Sequence, residues 1–207
     1  MRLPPLPESE AEDKAAQVYG RLKELFEADV VPDVFLPMGR VPAVLNDFYM
    51  NFKKFVWKPG KLDRRTKLLI ALSVALKEGS TAWSDFYEKL GGAENVTPAE
   101  VADVAGLVAT NATYNTFFKF RTLSGTDLFD GLPVGLRAHA FRETGFDEKT
   151  VELINTVVSD LNACEPCVAG HVKKARDLGL GPDAILEAVQ AAAVVYSGVQ
   201  FHKSAKS

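Results

Sequence analysis

Apolar positions recur along most of this chain at steps of three and four residues, the period of helices that bury one face. Ser9 and Glu12 stand at capping-box spacing ahead of Ala15, Ala16, Val18, Leu22, Leu25 and Phe26, which predicts a first helix ending before Pro32. Pro32, Pro37 and Pro42 punctuate a link into a second helix that ends near Trp57, where Pro59-Gly60 is the stop. Further helices are expected to begin near Asp63, Ser80, Pro98, Pro133, Asp147, Cys164 and Pro182. Val151, Ile154, Val158 and Leu161 mark the apolar face of one of them, with Glu152, Asn155, Thr156 and Ser159 on a neighbouring polar strip. No segment alternates as a half-buried strand would, so the expected fold class is all-α.

The pattern also repeats. An offset of 84 residues pairs Asp63 with Asp147, Thr66 with Thr150, Leu69 with Leu153, Ile70 with Ile154, Val74 with Val158 and Pro98 with Pro182. The expected organisation is an N-terminal helical extension (1–60), a first repeat (61–122), a Gly-, Asp- and Pro-rich linker (123–145) and a second repeat (146–207). At the same offset Ser80 stands where Cys164 stands, Trp83 where Cys167 stands, Tyr87 where His171 stands and Leu68 where Glu152 stands. The first copy is thus expected to fold without those groups, and the second to carry the chemistry.

Composition narrows the function classes. With 24 basic and 27 acidic residues the net charge is −3, which gives no electrostatic case for nucleic acid, and no polybasic run marks a membrane surface. The segment Met1-Arg2-Leu3-Pro4-Pro5-Leu6-Pro7 lacks an apolar core of signal-peptide type, and no apolar run reaches the roughly 18 residues of a membrane span. A cytoplasmic location is the expectation. There, two cysteines are more often catalytic or metal-binding than structural.

Both cysteines of the chain lie in Cys164-Glu165-Pro166-Cys167-Val168-Ala169-Gly170-His171. Pro166 suits the first turn of a helix, so Cys164 is the expected N-cap and Cys167 lies in the first turn. Both sulfurs then sit near the positive end of the helix dipole, and His171 follows Cys167 by one turn on the same face. Such surroundings can bring a cysteine pKa from about 8.5 into the range of roughly 3.5–7.5, and the three-residue spacing allows a disulfide. Glu152 can orient His171 if the polar strip faces this helix; by pattern alone an ordinary surface acid is the more common outcome.

Glu152, eleven residues, Cys164-x-x-Cys167, three residues and His171 together resemble the active-site signature of the alkylhydroperoxidase D (AhpD-like) branch of the carboxymuconolactone decarboxylase-like superfamily. The resemblance runs from about Lys61 to Phe201 and includes Tyr114-Asn115, Leu136-Arg137 and Asn162. It implies an AhpD-like helical bundle assembled as a homo-oligomer, a trimer or hexamer. It implies reduction of an organic hydroperoxide with no cofactor. Cys167 would be the buried nucleophile, Cys164 the more exposed resolving partner, and Glu152 with His171 a proton relay. Electrons would come from a lipoyl-domain or other thiol donor and pass to a peroxiredoxin. The chain departs from the branch in carrying Glu165 and Pro166 where the branch has a histidine between the cysteines.

Other readings are weaker on the residues. Zinc needs four ligands, or three and an open position, and His139, His202 and Glu152 have no motif spacing relative to the cysteines. His139 and His202 are expected at the surface or in packing. Trp57, Trp83, Tyr114, Phe117 and Phe118 are expected as core or interface aromatics that could also line an apolar entrance. A non-catalytic redox switch, or a lyase of the decarboxylase type with incidental thiols, remain as alternatives.

Overall fold

The computed structural model describes residues 3–206, so Met1, Arg2 and Ser207 of the expected terminal segments lie outside the described residues. Among these the regular structure is entirely helical. The helices are α1 (Asp13–Phe26), α2 (Pro42–Asn51), α3 (Arg64–Lys77), α4 (Thr81–Ala93), α5 (Pro98–Leu123), α6 (Glu148–Leu161), α7 (Glu165–Asp177) and α8 (Pro182–Lys206). A wider π-type turn, Phe52–Trp57, continues α2, and a tight 3₁₀ stretch, Asp33–Arg40, spans the proline-marked link.

Equivalent sequence features produce equivalent helix ends 84 residues apart. The Asp63 carboxylate accepts from the Thr66 backbone N–H at the start of α3, and Asp147 accepts from that of Thr150 at the start of α6. Both helices end in the same reverse turn. Ser80 N–H donates to the Ala75 carbonyl and Cys164 N–H to that of Ser159, with Gly79 (φ 65°) and Ala163 (φ 52°) in the left-handed position between. Ser80 and Cys164 then cap α4 and α7, and Thr97 closes a full capping box with Glu100 on α5.

Four expectations are corrected. Ser9 and Glu12 form no capping box: Glu8–Glu10 make a separate 3₁₀ turn, and α1 starts from Glu12 with no side-chain cap. Glu8 instead tethers the region, accepting from the Val31 backbone and pairing with Lys23. No helix starts at Pro133. The linker carbonyls of Leu132 and Leu136 accept from the Arg121 and Tyr114 side chains, Gly131 and Gly135 are left-handed, and only the short turn His139–Phe141 forms. α6 has distinct apolar and polar faces, yet every residue from Thr150 to Ser159 is buried, the polar strip included, so Glu152 is not the surface acid that pattern alone favours. Finally, a window of α8, Pro182–Ala205, is long and apolar enough on average to cross a membrane, with half of that window buried inside the molecule.

Residues before Lys61 form a thick aromatic layer on the first repeat. Phe35 and Phe48 meet Trp83 with ring centroids 5.8 and 5.5 Å apart, and Phe26 meets Phe86 edge-on at 5.6 Å. The layer is fastened at its C-terminal end by Glu187 of α8. Its carboxylate accepts from the Lys61 and Leu62 backbone and pairs with Lys67, a fully buried lysine that also donates to the Lys58 carbonyl (2.7 Å).

Candidate functional site

α6 and α7 pack side by side after the Asn162–Cys164 turn, and this pairing brings the four predicted residues together. Cys164 and Cys167 are joined as a disulfide. Behind them Glu152 is 2% exposed, so it is not a surface acid. The His171 Nδ1–H donates to its Oε2 (2.7 Å), and Lys174 Nζ donates to its Oε1 (3.0 Å). Burial alone would raise the Glu152 carboxyl; the hydrogen bonds and charges of His171 and Lys174 outweigh it and hold the group below the ordinary carboxylate range. With Nδ1–H bound to a carboxylate, the neutral ring carries its lone pair on Nε2, free to take a proton.

The remainder of the polar strip turns the other way. Asn155 accepts from Asn111 Nδ2 (2.7 Å), and Ser159 accepts from Asn115 Nδ2 (3.0 Å) and donates to Asn111 (3.3 Å). Asn162 donates to Asn115 (2.9 Å), and Lys119 donates to the Asn162 carbonyl (2.9 Å). This buried ladder between α5 and α6 fixes the turn that presents Cys164. Among its side-chain amide groups only Asn155 Nδ2 is left without a partner, and the remaining bonds hold the turn in place.

Both cysteines are buried, and their order as residues is the reverse of that implied by the resemblance: Cys164 is fully buried and Cys167 is 9% exposed. Cys164 is the N-cap residue, drawn under the end of α6 by its N–H bond to Ser159. Cys167, one turn on, faces a largely apolar cavity of about 250 Å³ with Tyr114, Phe118, Phe141, Pro166 and His171. Cys164 borders a different cavity, with Asp160, Val168 and Val172, that has no lining residue in common with the first.

Sequence reasoning missed Lys174 and Phe141. Lys174 lies three residues after His171, a spacing that shares a helix face, and that was the available signal. Phe141 comes from the linker and stands edge-on to the His171 ring, centroids 6.1 Å apart. Tyr114 and Phe118 do line the entrance, whereas Trp83 is core and Trp57 packs against the core and Phe26. His139 is exposed, and His202 is buried beside Trp83. No group of three His, Cys, Asp or Glu side chains converges as a metal site among the described residues.

Comparison with known proteins places the chain. The model of the carboxymuconolactone decarboxylase family matches residues 129–202. An alkyl hydroperoxide reductase AhpD of Rhodopseudomonas palustris (strain BisB18) is 31% identical over 160 residues, 76% of this chain and 86% of that protein. The protein of the same name in Acidobacterium capsulatum is 25% identical over 162 residues, 77% of this chain and 87% of its own length. That of Mycobacterium marinum is 35% identical over 104 residues, 50% of this chain and 57% of its length.

Proposed function

The chain belongs to the carboxymuconolactone decarboxylase family and is AhpD-like within it, and from that premise we propose that it is a thiol-dependent peroxidase acting on organic hydroperoxides in antioxidant defence. The observation that carries this is a Cys164–Cys167 disulfide whose less buried member, Cys167, borders an apolar cavity together with a histidine held by a buried carboxylate.

In the reduced protein, His171 Nε2 takes the Cys167 proton and Glu152 stabilises the resulting imidazolium. The Cys167 thiolate attacks the terminal peroxide oxygen, the O–O bond breaks, and the alkoxide leaves as alcohol with a proton from His171. Cys167 is now a sulfenic acid. Cys164 attacks its sulfur, water leaves, and the disulfide forms. One hydroperoxide and two thiols thus yield one alcohol, one water and one disulfide. An external dithiol, of which a lipoyl group is one kind, returns the pair to thiols and becomes a disulfide itself. A peroxiredoxin as further electron acceptor, a trimeric or hexameric assembly and a cytoplasmic location complete the proposal.

The test is intact mass of the reduced protein after one equivalent of cumene hydroperoxide. Loss of two hydrogens, abolished in Cys167→Ser, is expected; an unchanged mass in the native protein overturns the reading. Cys164→Ser should stop one oxygen heavier, at the sulfenic acid. Turnover of a lactone that survives replacement of both cysteines would instead assign the lyase chemistry in the family's name.

A further inference from the structure

The cavity at Cys167 shares Phe141, Gly170 and His171 with a second cavity whose wall is mixed polar and apolar and carries charged side chains. This one encloses about 600 Å³, and Arg137, Arg142 and Lys174 contribute fixed positive charge to its wall. Glu152 is the one carboxylate among its lining residues, and both of its oxygens are already engaged by His171 and Lys174. Two other acids stand close by: Glu148, 3.9 Å from Lys174, and Glu143, 3.7 Å from the His139 ring. Neither reaches the arginines: among the described residues Arg137 and Arg142 have no carboxylate within ion-pair distance.

The arginines are not on a slack loop. Tyr114 donates to the carbonyl of Leu136 (2.9 Å), immediately before Arg137, and Arg142 N–H closes the short turn on the His139 carbonyl (2.8 Å). The same tyrosine lines the apolar cavity, so one residue links that cavity to the backbone next to Arg137.

We propose that the substrate is an anionic amphipath, an organic hydroperoxide whose apolar chain also carries a carboxylate. The peroxide end lies against Cys167 among Tyr114, Phe118 and Phe141, and the carboxylate is received by Arg137 and Arg142. Planar guanidinium groups suit a carboxylate because two parallel N–H bonds match its two oxygens. The peroxide part rests on the peroxidase reading; recognition of a chain with an anionic head does not.

Two measurements separate them. The first is calorimetric titration of the oxidised protein with decanoate and with decanol. Decanoate should bind at least about tenfold more tightly, a difference of about 1.4 kcal/mol, and the advantage should shrink with added salt. The second is the rate at which linoleic acid hydroperoxide and its methyl ester oxidise the reduced protein, followed by intact mass. The acid should be about tenfold faster, and the acid-to-ester ratio should fall to about one in the double variant Arg137→Ala, Arg142→Ala. Equal binding of decanoate and decanol, or equal rates for acid and ester in the native protein, overturns the proposal and leaves the peroxidase reading standing. Arginine-dependent decanoate binding in a protein that neither peroxide oxidises supports the anionic site and removes the peroxidase reading. Because the salt and ester comparisons use the native chain, a poorly folded arginine variant cannot obscure the answer.

Discussion

Glu152 has almost no contact with water, and its charge is supported by His171 and Lys174 in its place. Its folded-state pKa is depressed, so its contribution to stability is present above the ordinary carboxylate range and is lost as pH falls through the lower folded value. Urea midpoints of native protein and Glu152→Gln should therefore differ most at neutral pH and converge on acidification. The same variant removes the anchor of the imidazolium, and its rate of peroxide-driven disulfide formation should drop on the order of 10²-fold. A rate within twofold of native would exclude the relay. At this scale the sequence was legible wherever geometry depends on spacing within one or two helices: Cys164, Cys167, His171 and Glu152 were expected to come together, and they do. Lys174 escaped because a lysine on an exposed helix face has no signature until a buried acid is seen opposite. The burial order of the two cysteines escaped too, since it depends on how the end of α6 folds over Cys164.

Helix starts were legible because capping is local chemistry. Helices start at or next to Asp63, Ser80, Pro98, Asp147 and Cys164 as expected, with side-chain caps from Asp63 and Asp147 and none from Ser80 or Cys164. The failure at Pro133 shows the complementary case: a proline permits a helix start, but the following turn must also form, and here side chains of α5 take the linker carbonyls. The full burial of α6 was invisible to periodicity, because Asn155 and Ser159 of its polar strip meet asparagines from a helix over forty residues away in sequence. The turn that ends α6 carries a prediction of its own. Ala163 holds a left-handed conformation that Gly79 holds in the first repeat, and a Cβ there is disfavoured by about 1–2 kcal/mol. Ala163→Gly should stabilise the protein by roughly 0.5–1 kcal/mol after the added freedom of the unfolded chain is subtracted, read from denaturant midpoints. A loss of stability would show that the turn is not strained.

Across the whole molecule, the extension before Lys61 proves to be a wall of the core rather than an appendage. It buries Trp83, which occupies the place in the first repeat that Cys167 occupies in the second, beneath Phe35 and Phe48. Neither the depth of that layer nor its fastening through Lys67 and Glu187 was readable from pattern, because a lysine inside an apolar helix looks like an exposed position until its partner is known. Lys67→Met should cost roughly 1.5–3 kcal/mol, the loss of a charge-assisted bond, since the part-exposed Glu187 keeps its Lys61 and Leu62 backbone donors. Gly198 is a second seam: a Cβ there would come within 2.8 Å of Phe48 and 2.9 Å of Trp83, so Gly198→Ala should cost about 1–3 kcal/mol.

The aromatic layer also decides what light can report. The chain has two tryptophans, Trp57 and Trp83, and both belong to that layer; neither borders a cavity that reaches Cys164 or Cys167. Indole emission is therefore a gauge of how the extension sits on the bundle, while the tyrosine at the entrance, Tyr114, is the native chromophore placed to sense the sulfurs. A tryptophan signal that follows peroxide addition would mean that oxidation in one half of the molecule is felt in the other.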